Sequence, residues 1–490
     1  MEEKQPQRWL ALHRIESFLI PLLTKTVPCT QEDKQDALSL VKQLEEIRVF
    51  DLLIDPDNLV AFRCSYFLNN VLAKGFRLIV RQNEVSKECL QLRLEILFSF
   101  LEPLDMFRIT KPELQYRLCR FYSRLMDDIR SILVEHPLKD TLQVAVLVVR
   151  VEQVLWRQRD MQLFPYWKEW TRASYTLAAY LILCRKWLGF LYFVYPEYDH
   201  SSSIYSLDYL SSLVVCANTH PVFYVRQRSW ELLLELQKRF VLQVSKTILE
   251  ESCREEILSS LTALVNEGSD DDVDSYFSYQ ADSVPNMATK KVFLRNYILG
   301  IVSSFASLLC NKSVVDSTDL IERAQILWIR IAILLRCWYV STTNNNSLEY
   351  YLIMLFIEQD DLMCLLFMQV WKLHSLVSDE QQQIFVPRIH SMVFYWLSQI
   401  DFDAQVILDL ILETETEFLE FFVNYFNVVI HTKPEDLLHD MTREGFSRFG
   451  LLLENLCSML QRLQTKNLVG FRCTPLVRKM RRVLQHIHST

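Results

Sequence analysis

Glycine is nearly missing from this sequence: there are 7 in 490 residues. Without glycine a chain has few tight hairpin turns, bulges or phosphate-cradling loops, so the scarcity argues for helices almost throughout. The patterns G-x-G-x-x-G, G-x-x-x-x-G-K, G-x-S-x-G and H-E-x-x-H are all absent. No catalytic, metal-binding or cofactor-binding constellation takes their place. Twelve cysteines run from Cys29 to Cys473 without one C-x-x-C pair. They read as reduced, mostly buried small hydrophobes of a cytosolic or nuclear protein. A secretory signal is not expected, because the start is acidic (Met1-Glu2-Glu3) and His13, Arg14 and Glu16 interrupt its apolar residues. The longest stretch free of Asp, Glu, Lys and Arg, Tyr209 to Val225, contains Asn218, Thr219, His220 and Pro221. No membrane-spanning helix is expected from it. A net charge of -8 denies the chain an overall basic field, which disfavours direct nucleic-acid binding.

What is present is helical periodicity. Half of the residues are hydrophobic, enough for a large core. Apolar positions recur at i, i+3/i+4 through Leu90 to Leu101, Leu114 to Leu133, Trp167 to Val194 and Val225 to Val244. Prolines 103, 112, 137, 165, 196 and 221 stand between or beside such runs, where they end or open helices. Thr141 to Trp156 is included, since its β-branched run Val144 to Val151 continues at helical spacing into Val154 and Leu155. The clearest unit is Phe402 to Val429. Val406, Ile407, Leu410 and Ile411 form one stripe, and Phe418, Phe421, Phe422, Tyr425, Phe426 and Val429 another. Thr414 to Glu417 between them has capping-box spacing. The fold class expected is all-α, a helical-hairpin array resembling an armadillo/HEAT-like α-solenoid. No clean repeat period is present, and an irregular helical array is the fallback.

One segment breaks the pattern. Gly268 to Ser283 has five aspartates and no basic residue. It divides the chain into an N-terminal array (1–266), an acidic flexible loop (267–288) and a C-terminal array (289–490). Ser269 and Ser275 flank its acids and are phosphorylation candidates, an unmodified loop being the simpler reading. Asp270, Asp272 and Asp274 imitate the opening of an EF-hand, but Ser275 and Ala281 stand where that loop needs glycine and glutamate. Cys216 with His220, and His486 with His488, lack the further ligands that zinc requires.

The C-terminal tail carries the one surface feature with a functional reading. Leu476, Met480, Val483, Leu484 and Ile487 make an apolar stripe, while Arg478, Lys479, Arg481 and Arg482 cover much of the rest. Such a helix can bind an acidic partner, a membrane surface or an import receptor. The simpler reading is a terminal helix docked by its stripe. Trp328, Trp338, Trp371 and Trp396 are read as core.

Three pieces, taken together, resemble the Lines family of segment-polarity regulators. They are Phe356 to Asp361, the hairpin Val406 to Phe426, and Leu456 to Leu468 with its end Arg462-Leu463-Gln464-Thr465-Lys466-Asn467-Leu468. After Leu468, Val469-Gly470-Phe471 replaces the proline-containing aromatic turn of that family. The resemblance implies a non-enzymatic regulator, cytoplasmic and nuclear, that acts through protein partners in Wnt-linked developmental signalling. The partners it implies are regulatory proteins, including zinc-finger transcription factors of the odd-skipped class. It brings no catalytic, metal or cofactor residues. Two alternatives stand beside it: a structural subunit of a large complex, and an enzyme with a dispersed site such as His374, His390, Glu358, Asp360 and Asp361.

Overall fold

The computed structural model describes residues 174–194, 207–238, 240–266, 287–311, 317–339, 347–376, 387–413, 417–468 and 472–488, with single helical positions at 32–39 and 116–134. Among them there is no strand, and the protein is all-α. The expected runs Leu90 to Leu101 and Thr141 to Trp156, and the acidic segment with Ser269 and Ser275, lie outside the described residues. The described residues fall into two compact units. One holds those up to Leu213 together with His220–Leu236, and the other holds Val214–Thr219 and those from Gln237 onward.

In the first unit, α1 (Ser174–Val194) is apolar on nearly every side because it is an interior helix. Leu177, Tyr180, Leu181, Cys184 and Trp187 are inaccessible to solvent, and Trp187 stacks on Phe190 one turn later. From α3 (Phe223–Gln237), Glu231 accepts from both Arg185 and Arg228. α2 (Leu207–Thr219) and α3 are separated at Pro221, as proline placement predicts. His220 holds that turn, its Nδ1 taking the Val222 N–H at 3.0 Å.

The second unit contains α4 (Val241–Ser252), α5 (Glu255–Asn266), α6 (Met287–Cys310), α7 (Ser317–Trp338), α8 (Leu348–Phe356) and α9 (Asp360–Leu376). It continues through α10 (Ile389–Gln399), α11 (Ala404–Leu412), α12 (Phe418–His431), α13 (Pro434–Met441), α14 (Arg443–Thr465) and α15 (Thr474–His488). α4, α6, α9, α12 and α15 form a row in which each helix packs on the next. Beside that row α5 packs on α7, α7 on α8, α8 on α10 and α10 on α13.

The second helix of the row is α6. Phe293, Tyr297, Ile298, Ile301, Val302 and Phe305 are buried, so it presents apolar residues to several neighbours at once. Its stretch 288–310 is long and apolar enough to cross a membrane by length and composition alone, and its most apolar part is mostly buried in the protein. A helix surrounded by other helices needs the same composition as one surrounded by lipid.

The expected run Val225 to Val244 is two helices, not one, broken at 238–240. The Gln237 carboxamide marks the break. It donates to Ser304 Oγ at 2.8 Å, to Gly300 O at 3.3 Å and to Ser245 Oγ at 3.1 Å, tying the start of α4 to α6. A second polar lock is Arg330 of α7. Its guanidinium reaches the Ser252 and Arg254 carbonyls at 2.8 and 3.0 Å, and Glu255 at 2.7 Å. It satisfies carbonyls that the end of α4 leaves without helical partners.

The aromatic hairpin forms as its periodicity predicts. Ile407, Leu410 and Ile411 of α11 and all six predicted residues of α12 are buried. Phe421 stacks on Phe367 of α9 at 4.8 Å, and Trp396 of α10 meets Phe418 at 5.5 Å. Trp328, Trp338 and Trp396 are core residues, while Trp371 is half-buried. The capping box is corrected. α12 begins at Phe418, which makes Glu417 its N-cap instead of its third residue, and Glu417 makes no capping bond.

Candidate partner-binding surface

α14 and α15 form a C-terminal hairpin. α14 ends in a Schellman turn: Leu468 N–H returns to Leu463 O at 3.0 Å and Asn467 N–H to Gln464 O at 3.1 Å. The turn requires a residue in the left-handed region, and Asn467 supplies it with φ of 53°. Gln464 donates to Thr474 Oγ1 at 3.0 Å across the hairpin.

α15 is seated by apolar burial. Leu476, Val477, Met480, Val483 and Ile487 are buried against α12 and α14. Leu484, predicted in the stripe, is half-buried, and Val477 takes a place that the sequence reading left out. At roughly 1.5–3 kcal/mol for each buried side chain, the stripe is sufficient to hold the helix without help from its charges. His486 adds a polar tether, its Nε2 donating to Thr432 O at 3.0 Å.

The basic residues lie opposite. Arg478, Arg481 and Arg482 are exposed and Lys479 is half-buried. Among the described residues none of the four makes an ion pair or a side-chain hydrogen bond. Burial, and then the Arg482 charge beside it, hold the Lys479 ammonium below the usual lysine range. Like charges three and four residues apart on one helix repel, so the face carries a cost.

Sequence reasoning stopped one helix short. From Asn455 to the last residue there are seven Lys and Arg and no Asp or Glu, in a chain of net charge -8. A count along the sequence would have added Arg462, Lys466 and Arg472, all exposed on or beside the same hairpin. It would not have found Leu468, which is 66 % exposed at the turn, since a leucine there reads as core.

The dispersed enzymatic site does not assemble. Glu358, Asp360 and Asp361 stand at the start of α9, and His374 in its last turn, about 20 Å away along the axis. Glu358 is engaged elsewhere. Lys291 at 2.6 Å and Arg295 at 2.9 Å hold its carboxyl below the usual range, with the Lys291 hydrogen bond the larger cause.

His374 and His390 are near one another, and His390 belongs to a closed polar network. Thr432 Oγ donates to Val428 O at 2.8 Å and must therefore accept from His390 Nε2–H at 3.1 Å. Nδ1 is left as an acceptor and takes the Tyr425 hydroxyl proton at 3.2 Å. His374 Nε2 is spent on Pro387 O at 2.9 Å. Burial first, and the His374 charge second, push His390 down to about 3. A neutral imidazole with both nitrogens occupied locks α10 to α12; it has no free lone pair to offer a substrate. Among the described residues no group of three or more His, Cys, Asp and Glu is arranged to hold a metal ion. No protein-family model matches the chain and no curated protein matches it.

Proposed function

We propose that the protein is a non-enzymatic helical scaffold, armadillo/HEAT-like in arrangement, that binds regulatory proteins and modulates developmental signalling or transcription in the manner of the Lines family. The observation that carries this reading is the row α4, α6, α9, α12, α15, which ends on a helix with an exposed basic face. Stacked helices offer a long surface to an extended or helical partner segment. The three Lines-like pieces support the choice of partner: cytoplasmic and nuclear regulators, with zinc-finger transcription factors of the odd-skipped class first among them. Proximity labelling in cells with the full chain tests it. A set of nuclear and cytoplasmic regulators is expected, and a single fixed assembly in constant ratio would contradict it.

A second reading, a structural subunit of a large complex, is favoured by one observation. Ile326, Ile329 and Ile333 on α7 are 42, 61 and 39 % exposed and lie at i, i+3 and i+7 on one face. Such a stripe suits a permanent neighbour. If that reading holds, the purified chain associates or precipitates alone, and I329E restores a monodisperse species.

A further inference from the structure

We infer that the outer face of α15, with Lys466 and Leu468 at the end of α14, is a docking site for an acidic polypeptide segment that brings its own apolar anchor. This inference rests on the scaffold reading and names its surface and partner chemistry. Arg478, Arg481 and Arg482 are exposed, and among the described residues they have no acidic partner. Arg472 and Lys466 extend the positive surface to the hairpin turn, where Leu468 is 66 % exposed.

The charges are not required to hold the helix, because the opposite stripe does that. An anion from outside the hairpin would relieve their mutual repulsion. Leu468 completes the pattern. In a Schellman turn the residue at this position commonly packs back on the helix, whereas here it faces water and offers an apolar contact beside the charges.

Size and surroundings select the kind of anion. Arg478 to Arg482 spans about 6 Å of helix axis, the length of one turn of a facing acidic helix. A nucleic-acid duplex or an anionic membrane would have to lie along a larger area. The residues before Asn455 carry a net negative charge that repels such an extended polyanion. A short acidic segment can reach the basic island without that cost, and an apolar residue among its acids can meet Leu468. The juxtaposition matches an amphipathic acidic segment of another protein.

The test uses the full chain and a fluorescent amphipathic peptide of glutamate and leucine, read by anisotropy. Duplex DNA and phosphatidylserine vesicles are run in parallel. The wild type should bind the peptide, weaken as salt rises from about 50 to 500 mM, and prefer the peptide to both other probes. R478Q/R481Q/R482Q should weaken peptide binding about tenfold or more while leaving far-UV circular dichroism unchanged, because all three side chains are exposed. L468S should weaken it further without changing the salt dependence. Unchanged affinity in the triple variant overturns the inference, and so does tighter binding of DNA or of vesicles than of the peptide. The scaffold reading fails separately. Cellular partners that survive the triple substitution leave a scaffold with a different surface, whereas peptide binding with no regulator recruited in cells leaves the site without the scaffold role.

Discussion

Replacing His390 by glutamine should make the variant's stability less sensitive to acid than that of the wild type, although the variant is the weaker protein at neutral pH. In the folded chain burial holds His390 near 3, against its ordinary value of 6.5. Between those two values the unfolded chain binds a proton that the folded chain refuses, so stability falls as pH drops below 6.5. Each pH unit costs up to about 1.36 kcal/mol, which makes the His390 share roughly 2 kcal/mol at pH 5. Glutamine does not titrate and loses that share. It also gives up one of the two hydrogen bonds that join Tyr425 and Thr432, at a cost of about 1–3 kcal/mol at all pH values. Urea unfolding of both proteins at pH 7.5 and pH 5.0, followed by circular dichroism, measures the gap between them. The gap should narrow by about 2 kcal/mol on acidification. A gap that stays constant would refute the neutral, buried histidine.

Two further substitutions test the packing. A Cβ on Gly445 would lie 2.0 Å from Phe394 Cε2, so G445A should cost roughly 1–3 kcal/mol through the forced shift of that ring, seen as a lower urea midpoint. Arg330 is 4 % exposed at its side chain while its partner Glu255 is 85 % exposed. R330L should therefore destabilise by about 2 kcal/mol or more by orphaning the Ser252 and Arg254 carbonyls, whereas E255Q should change stability by less than about 1 kcal/mol. Equal effects of the two would place the strength in the ion pair instead of the carbonyl contacts.

The parts of this fold that could be read from the sequence are those encoded at helical spacing. Phe418 through Val429 turn inward because six apolar side chains recur every three or four residues, and no tertiary partner is needed to see it. Arg478, Lys479, Arg481 and Arg482 turn outward for the complementary reason. What could not be read depends on residues far apart. The His390 network joins positions 35 and 42 residues away, and Arg330 reaches back 78 residues to the end of α4. Such pairings carry no local period. Thr414 and Glu417 have capping spacing, yet α12 begins at Phe418 with Glu417 as an N-cap that makes no side-chain bond. The break at 238–240 was hidden because apolar residues continue in helical register on both sides of it.

The aromatic contacts across α9, α10 and α12 also decide how the scaffold reading should be tested. Removing everything from Phe402 onward would strip α12 from Phe367 and expose the core, so loss of partners in such a truncation would report unfolding. Substitutions confined to exposed arginines avoid this. The most direct measurement is quantitative proximity labelling of the full chain beside R478Q/R481Q/R482Q at equal expression. Selective loss of acidic regulatory proteins, with the variant as abundant as the wild type, is the predicted result; an identical set of labelled proteins would contradict a partner-binding role for the basic face of α15.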